Sequence, residues 1–267
     1  MCGGAVRLSA MAPLPPLPPW NAGWALFLDV DGTLLEIEEH PDDVRARPRL
    51  KVLVEHALHA LGGALALVSG RSIASLDRVF APLVLPAAGL HGLERRGADG
   101  RVHYPSGFAE RLGAARCRLM HFVQSQKGLL LEDKGAALAL HFRAAPELAE
   151  AARRAIESAR AELGDDFHVQ QGKMVLELKP GGEDKGTAVA AFMLEAPFAG
   201  RLPVFVGDDV TDEDGFRAVN GMGGISVRVG RLPQGQATTA AQHCAASVEA
   251  VLDWLESCLE DGDAKAV

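Results

Sequence analysis

Two aspartates lie two residues apart in the stretch Asp29-Val30-Asp31-Gly32-Thr33, directly after a run of apolar residues. Carboxylates at this spacing repel each other when both are charged, and a divalent cation relieves the repulsion; oxygen ligands of this kind suit Mg²⁺. Gly32 frees the backbone for a turn, and the Thr33 hydroxyl is available to a phosphate group. An ordinary turn or part of a calcium-binding loop is the alternative, but no twelve-residue loop with a terminal Glu surrounds Asp29.

A second acidic group follows another apolar run, in residues 207–213 (GDDVTDE). Four acidic side chains within six residues again indicate a cation. We predict that Asp208 is a metal ligand and that Asp209 supports it. The remaining residues are expected to cap a helix. Thr211 or Asp212 suits the N-cap, and Glu213 suits the first turn.

Two further residues are candidates for binding phosphate. Ser69 begins the stretch Ser69-Gly70-Arg71 after a third apolar run, and its hydroxyl and the nearby backbone N–H groups could hold phosphate oxygens. A helix N-cap is the alternative role for Ser69. Lys185 opens a predicted helix, where the helix dipole favours anions rather than cations. We therefore expect Lys185 to neutralise a phosphoryl group.

The elements that position these residues alternate between strands and helices. The pattern predicts buried strands over 24–30, 64–68, 83–87, 202–206 and 225–229. It predicts helices over 50–61, 185–195, 212–219 and 247–259, and a further helix that follows the turn of residues 69–71 and ends at residue 80. This α/β rhythm indicates a Rossmann-like parallel sheet with helices on both faces. Such sheets bind ligands at the carboxyl ends of their strands, which is where the polar turns lie.

The middle of the chain follows a different pattern, with a helix and a hairpin that occur twice. Helices are predicted over 108–126 and 146–163, and hairpins over 129–143 and 167–179. We interpret residues 107–179 as an α+β cap domain inserted into a core formed by 20–106 and 180–267. The polar faces of its strands could bind a ligand, or could simply be solvated. Those faces carry His141, Arg143, Lys173, Glu177 and Lys179.

Composition excludes several classes of protein. The 267 residues are 48% hydrophobic and 23% charged, which rules out a disordered or fibrous chain. A net charge of −8 argues against nucleic acid or an anionic membrane as partner, and no apolar run reaches the ~20 residues of a membrane span. The four cysteines form no CxxC pair, so we expect a reduced, cytoplasmic setting. The Pro-rich residues 1–19 are predicted to be a flexible leader.

The motifs around Asp29, Ser69, Lys185 and Asp208 occur in the order typical of the haloacid-dehalogenase-like (HAD) phosphatase superfamily, which the chain resembles from about Trp20 onward. Four stretches also resemble the trehalose-6-phosphate phosphatase family. They are residues 89–94 (GLHGLE), 132–143 (EDKGAALALHFR), 177–186 (ELKPGGEDKG) and 207–213.

The resemblance implies a mechanism. Asp29 attacks phosphorus and forms an aspartyl-phosphate. Asp31 protonates the leaving sugar oxygen and then activates water. Mg²⁺ is implied on Asp29, on the backbone carbonyl of Asp31 and on Asp208. Ser69 and Lys185 hold the phosphoryl oxygens, beside the turn of Gly32 and Thr33. Arg71 is expected to orient the site or the substrate.

The resemblance also implies that the cap binds the sugar, through Lys134, His141, Arg143, Lys173 and Glu177. His91 and Glu94 are further candidates, with a structural role beside a turn as the alternative for His91. The expected reaction is Mg-dependent hydrolysis of trehalose 6-phosphate, with a small sugar phosphate as the partner and no obligate protein partner evident.

Two alternative functions stay open at this point. One is a different capped sugar-phosphate phosphatase, for example one acting on sucrose phosphate. The other is a non-catalytic regulator that binds phosphate, although such a protein would be expected to have lost carboxylates that this chain retains.

Overall fold

The computed structural model describes residues 14–37, 45–104, 107–172, 174–232 and 238–263. Lys173, one of the predicted sugar-binding residues, lies outside these described residues, as do residues 1–13 of the predicted leader.

Strands and helices alternate along most of the described chain. The strands are β1 (Trp24–Leu28), β2 (Leu65–Val68), β3 (Ala87–Gly89), β4 (Glu94–Arg96), β5 (Val102–His103), β6 (Leu130–Asp133), β7 (Leu138–His141), β8 (Phe167–Gly172), β9 (Val175–Pro180), β10 (Leu202–Gly207), β11 (Ile225–Val229) and β12 (His243–Ala245). The helices are α1 (Pro48–Ala60), α2 (Ile73–Phe80), α3 (Phe108–Gln124), α4 (Ala149–Leu163), α5 (Lys185–Phe192), α6 (Asp212–Gly221) and α7 (Val248–Asp263).

The larger sheet has the strand order β12-β11-β10-β1-β2-β3-β4-β5. Its strands run parallel from β12 to β3, and β4 and β5 continue it as antiparallel strands. Strand β1 is buried along its whole length, which is typical of parallel strands covered by helices on both faces. The predicted α/β fold with a mostly parallel sheet is therefore confirmed.

Three short strands are absent from the sequence prediction. β4, β5 and β12 have three, two and three residues, too few for a hydrophobic period to emerge. Strand β3 also begins at Ala87 rather than near residue 83. Pro86 immediately precedes it, and a proline lacks the N–H that a strand interior needs.

The smaller sheet is antiparallel and has the order β6-β7-β9-β8. All of its strands lie between β5 and β10 in the chain, and it packs with α3 and α4 around a hydrophobic cluster separate from that of the larger sheet. Leu138 and Leu140 of β7 and Leu176 and Leu178 of β9 belong to this cluster. The apolar face predicted for these two strands is therefore the one that is buried.

The described part of the predicted leader is not free. Residues 14–19 lie along the edge strand β12, where Pro16 pairs with Cys244 and the Cys244 N–H donates to Pro15 O at 2.8 Å. The Trp254 Nε1–H donates to Pro18 O at 2.8 Å. The expectation of a flexible leader is therefore wrong for residues 14–19, because an extended Pro-rich backbone offers unpaired carbonyls to the free donors of an edge strand.

None of the helices in the described ranges combines the length and the apolar character needed to cross a membrane.

Candidate active site

The two acidic stretches meet at the carboxyl ends of neighbouring strands. β1 pairs with β10 so that Leu28 lies opposite Val206, which places Asp29 and Asp208 side by side. Carboxylate oxygens of Asp29, Asp208 and Asp212 lie within 4.8 Å of one another. The sheet register therefore gathers three negative charges at one point.

Lys185 provides the positive charge in this cluster. Its Nζ donates to Asp29 Oδ1 at 2.7 Å and to Asp212 Oδ1 at 2.5 Å, and its side chain is only 3% exposed. Asp184 fixes the start of α5 through a capping box with Thr187. This N-cap places Lys185 at the first helical position, the position at which we expected a lysine that neutralises a phosphoryl group.

Burial and mutual repulsion shift the pKa values of the acids. Burial, with the nearby charges of Asp212 and Asp208, raises the pKa of Asp29 well above its ordinary value, although Lys185 opposes the shift. Burial, followed by repulsion from Asp212 and Asp209, raises the pKa of Asp208 to about 6. Burial alone would lower the pKa of Lys185, but attraction to Asp29 and Asp212 outweighs it and raises that pKa.

A divalent cation fits this donor set, because the carboxylates outnumber the lysine that neutralises them and oxygen donors suit hard cations. Asp212 engages both of its carboxylate oxygens with protein donors: Oδ1 with Lys185, and Oδ2 with the N–H groups of Asp208 and Asp209, each at 2.9 Å. Asp208 accepts a long hydrogen bond of 3.4 Å from Thr33 and shares a side-chain hydrogen bond with Asp29. Asp29 and Asp208 are therefore better placed than Asp212 to accept a cation.

The prediction for residues 211–213 is confirmed in position but not in the capping bond. Thr211 occupies the N-cap of α6 and Glu213 lies in the first turn, but Thr211 makes no side-chain cap bond. Asp212 is the first helical residue, and its carboxylate binds the loop that precedes the helix. Glu213 is buried, faces Arg228 at 3.6 Å and accepts from the Ala240 N–H at 2.7 Å. These acids stabilise the loop that carries Asp208 rather than the end of the helix.

Gly32 lies directly against Asp208. Its φ of +83° favours glycine, and a Cβ at this position would be 2.1 Å from Asp208 Oδ2. Thr33 is fully buried, and its hydroxyl donates to Asp208 Oδ1 rather than into open space. A contact between Thr33 and phosphate therefore stays a prediction.

Asp31 forms a bidentate ion pair with Arg71. Arg71 Nε and Nη2 donate to the Asp31 carboxylate at 2.7 and 2.6 Å. The Arg71 N–H also donates to Ser69 Oγ at 3.2 Å. Ser72, not Ser69, is the N-cap of α2 and accepts from the Ser75 N–H, so the capping alternative for Ser69 does not hold.

A cavity of about 850 Å³ opens between the two sheets at this point. Predicted residues of the larger sheet line one side, namely Asp29, Asp31, Ser69, Arg71 and Lys185. Predicted residues of the smaller sheet line the other, namely Lys134, His141 and Arg143. Glu177 does not line the cavity but accepts from Lys134 Nζ at 2.9 Å. The structure thus brings together residues from both parts of the chain.

Several residues of this region were missed or placed differently by the sequence. Arg228 is buried in β11, and its Nη2 donates to the backbone carbonyl of Asp208; its only sequence signal is a cation in an otherwise apolar strand. Lys179 is buried, which lowers its pKa. Glu94 accepts from the Ile73 N–H at the start of α2, so it stabilises that helix end.

The fold and the site can now be compared with known proteins. A parallel sheet with aspartates at neighbouring strand ends and a buried lysine between them is the arrangement that the resemblance to HAD-type phosphatases implied. A HAD-superfamily phosphatase from Bacteroides thetaiotaomicron shares the fold, with a TM-score of 0.59 and 17% identity, over 92% of this chain and 98% of that one.

Sequence comparison narrows the class to one family. Residues 27–249 match the model of the trehalose-phosphatase family. A probable trehalose-phosphate phosphatase of Sinorhizobium fredii is 50% identical over 209 residues, covering 78% of each chain. The trehalose-6-phosphate phosphatase of Escherichia coli is 44% identical over 248 residues, covering 91% of this chain and 90% of its own. The chain belongs to the trehalose-phosphatase family.

A solved structure agrees with this assignment. A protein described as related to trehalose-6-phosphate phosphatase superimposes with a TM-score of 0.71 at 27% identity, over 90% of this chain and 99% of its own.

Proposed function

We propose that this protein hydrolyses trehalose 6-phosphate to trehalose and phosphate, with Mg²⁺ as its cofactor. The observation that carries the proposal is the buried contact of Lys185 with Asp29, in the lining of a cavity that polar residues of the smaller sheet also line. Membership of the trehalose-phosphatase family supports the choice of substrate. The free thiols of Cys117 and Cys244 are compatible with a reducing, cytoplasmic setting.

Asp29 is the proposed nucleophile. One of its carboxylate oxygens attacks phosphorus while the bond between phosphorus and the sugar oxygen breaks, which leaves an aspartyl-phosphate. Asp31 gives its proton to the departing sugar oxygen and then takes one from the water that releases phosphate. Ser69 and Lys185 bind the phosphoryl oxygens, where charge is concentrated during transfer. Arg71 orients Asp31, and their bidentate ion pair holds its carboxylate in the ionised form, so this pair has to open before Asp31 can carry the proton that it gives.

The carboxylates of Asp29 and Asp208, with the backbone carbonyl of Asp31, would hold the cation. A bound cation would offset the negative charge of the phosphoryl group and of the carboxylates around that group. Thr33 and Gly32 shape this end of the site by closing against Asp208.

The smaller sheet and its helices are the proposed cap. We assign residues 107–179 to the cap and residues 20–106 and 180–267 to the core. Lys134, His141 and Arg143 line the cavity from the cap side, and Glu177 is paired with Lys134. With Lys173, these residues form the proposed binding site for the sugar that leaves.

Phosphate release from a panel of trehalose 6-phosphate, sucrose 6-phosphate and glucose 6-phosphate tests the proposal, with Mg²⁺ and after its removal by a chelator. We expect the highest kcat/KM on trehalose 6-phosphate, and activity that disappears with the chelator and returns with Mg²⁺. Preference for sucrose 6-phosphate would assign a different substrate. A folded protein that binds phosphate but hydrolyses none of the esters would be a regulator instead.

A further inference from the structure

His91 lies in a tight turn, Leu90–Gly92, between two loops of the active site. The Leu90 N–H donates to Arg71 O and the His91 N–H to Ser69 O, each at 3.0 Å. On the opposite side, a Cβ on Gly92 would be 2.6 Å from the backbone oxygen of Asp184, the residue before Lys185. The turn is therefore wedged between the proposed phosphate-binding residues.

The backbone of this turn is strained. Leu90 and His91 have φ values of +51° and +58°, a left-handed conformation that is unfavourable for residues with a Cβ. Such strain persists where the surroundings over-determine it, and it concentrates at functional sites. In this conformation the imidazole of His91 lies against Gly70, so that a Cβ on Gly70 would be 2.7 Å from His91 Nε2. The imidazole also belongs to the lining of the cavity.

The imidazole is a neutral group in a basic environment. Burial, together with Lys179, Lys185 and Lys134, lowers the pKa of His91 to about 3. A neutral ring has one donor and one acceptor nitrogen. Nδ1 is buried, and none of the described residues forms a hydrogen bond with it. Because Nδ1 is shielded, a ligand would reach the ring through Nε2, and a sugar hydroxyl, which can donate or accept, complements that nitrogen in either tautomer.

We propose that His91 is a specificity-determining residue that hydrogen-bonds a hydroxyl of the sugar ring bearing the phosphate. We assign His91 to the phosphate-bearing ring because its turn is hydrogen-bonded to the loop of Ser69 and Arg71 and contacts the start of α5. Both are proposed to bind the phosphoryl group. The pair of Lys134 and Glu177 is carried by the smaller sheet, and under the proposed function it contacts the other ring. This inference rests on the proposed function of the site.

Two variants separate this role from a structural one. His91→Ala removes both ring nitrogens, whereas His91→Asn keeps a donor and an acceptor and tolerates the left-handed backbone. The measurements are kcat/KM for trehalose 6-phosphate and for p-nitrophenyl phosphate, the inhibition constant of inorganic phosphate, and Tm. The aryl ester and free phosphate have no sugar hydroxyl and serve as internal controls.

For His91→Ala we expect kcat/KM on trehalose 6-phosphate to fall about 10- to 100-fold, with both controls changed less than about threefold. His91→Asn should recover a substantial part of the loss. A proportional fall on both esters, or equal losses in the two variants, would show that His91 only supports the turn and would overturn the proposal.

If the proposed function is wrong, the wild-type protein itself will have a higher kcat/KM on another sugar phosphate than on trehalose 6-phosphate. The variants would then be compared on that sugar ester and on the aryl ester, and the same difference between the two would still decide the role of His91.

Discussion

Asp29 shares the buried ammonium of Lys185 with Asp212. Asp29→Asn keeps the shape of the side chain but removes the nucleophile, while Lys185 retains its contact with Asp212. We therefore expect kcat for trehalose 6-phosphate to fall roughly 10³-fold or more, with Tm close to that of the wild type. Asp165→Asn, an exposed change on the smaller-sheet side, is the matched control and should leave kcat unchanged. A well-folded Asp29→Asn protein with substantial turnover would remove Asp29 from the role of nucleophile.

The charge on Asp208 makes the effect of Mg²⁺ on stability depend on pH. Without metal, the folded-state pKa of Asp208 is raised to about 6 from 3.8. The stability linked to this proton is present below about 3.8 and is lost as pH rises through about 6. A cation that binds the ionised carboxylates restores it, so Mg²⁺ should raise Tm little at pH 5 and clearly more at pH 7.5.

Thermal unfolding with and without Mg²⁺ at the two pH values measures this difference. In Asp208→Asn the Mg²⁺-dependent shift in Tm should be largely absent at both. An equal shift in the variant and the wild type would mean that Asp208 is not a metal ligand.

At the scale of elements, the smaller sheet presents the pair of Lys134 and Glu177, whose side chains are 20% and 17% exposed. If this pair holds the distal sugar, its binding energy positions a large substrate over Asp29. Glu177→Ala should then lower kcat/KM for trehalose 6-phosphate roughly 10–200-fold, the value of a lost contact of about 1–3 kcal/mol. The rate on p-nitrophenyl phosphate should barely change, because that ester has no sugar to bind.

Glu157 lies on the exposed surface of α4, where its carboxylate pairs with Arg160. The variant Glu157→Ala is the control for losing one negative charge anywhere in the cap. Its kcat/KM should equal that of the wild type on both esters. A fall of equal size on both esters in Glu177→Ala would indicate a folding defect and not a lost sugar contact.

The elements also show what the sequence could and could not predict. β11 was predicted to its terminal residues, because apolar residues that alternate with polar ones between two glycines have a strong strand signal. Asp29, Ser69, Lys185 and Asp208 could be proposed because each directly follows a strand or opens a helix. The roles of Asp212 and Arg228 could not, since they depend on contacts with Lys185 and with the Asp208 carbonyl. Such contacts join loops that only the sheet register brings together.

At the scale of the whole molecule, the charge of the cavity differs from that of the chain. The protein has a net charge of −8, whereas acidic and basic side chains nearly balance in the lining of the cavity. The acids are Asp29, Asp31, Glu132 and Asp209, and the bases are Arg71, Arg78, Lys134, Arg143 and Lys185. The excess of acid lies partly on the exposed surface, where Glu249, Asp253 and Glu256 surround Arg49. Composition therefore argues against a polyanionic partner but gives no information about a small anionic substrate.

The chain contains three tryptophans, Trp20, Trp24 and Trp254, and all three pack together with ring centroids 5.5 to 6.0 Å apart. This cluster joins the segment 14–20 to β1 and α7. None of these three residues is among the described residues that line the cavity. Tryptophan emission therefore reports on this edge of the larger sheet and not on the active site.

Deletion of residues 1–19 removes four carbonyls, those of residues 14, 15, 16 and 18, that contact His243, Cys244 and Trp254. At about 1 kcal/mol for each hydrogen bond, we expect Tm to fall by roughly 10 °C, with a red shift of tryptophan emission as water reaches the cluster. The kcat/KM at 25 °C should stay near the wild-type value, since the cavity is not touched. Trp254→Phe loses the bond to Pro18 and part of the ring packing with Trp20 and Trp24, but it keeps the other three contacts and should give a smaller fall in Tm. An unchanged Tm after the deletion would show that the segment adds nothing to the stability of the edge it covers.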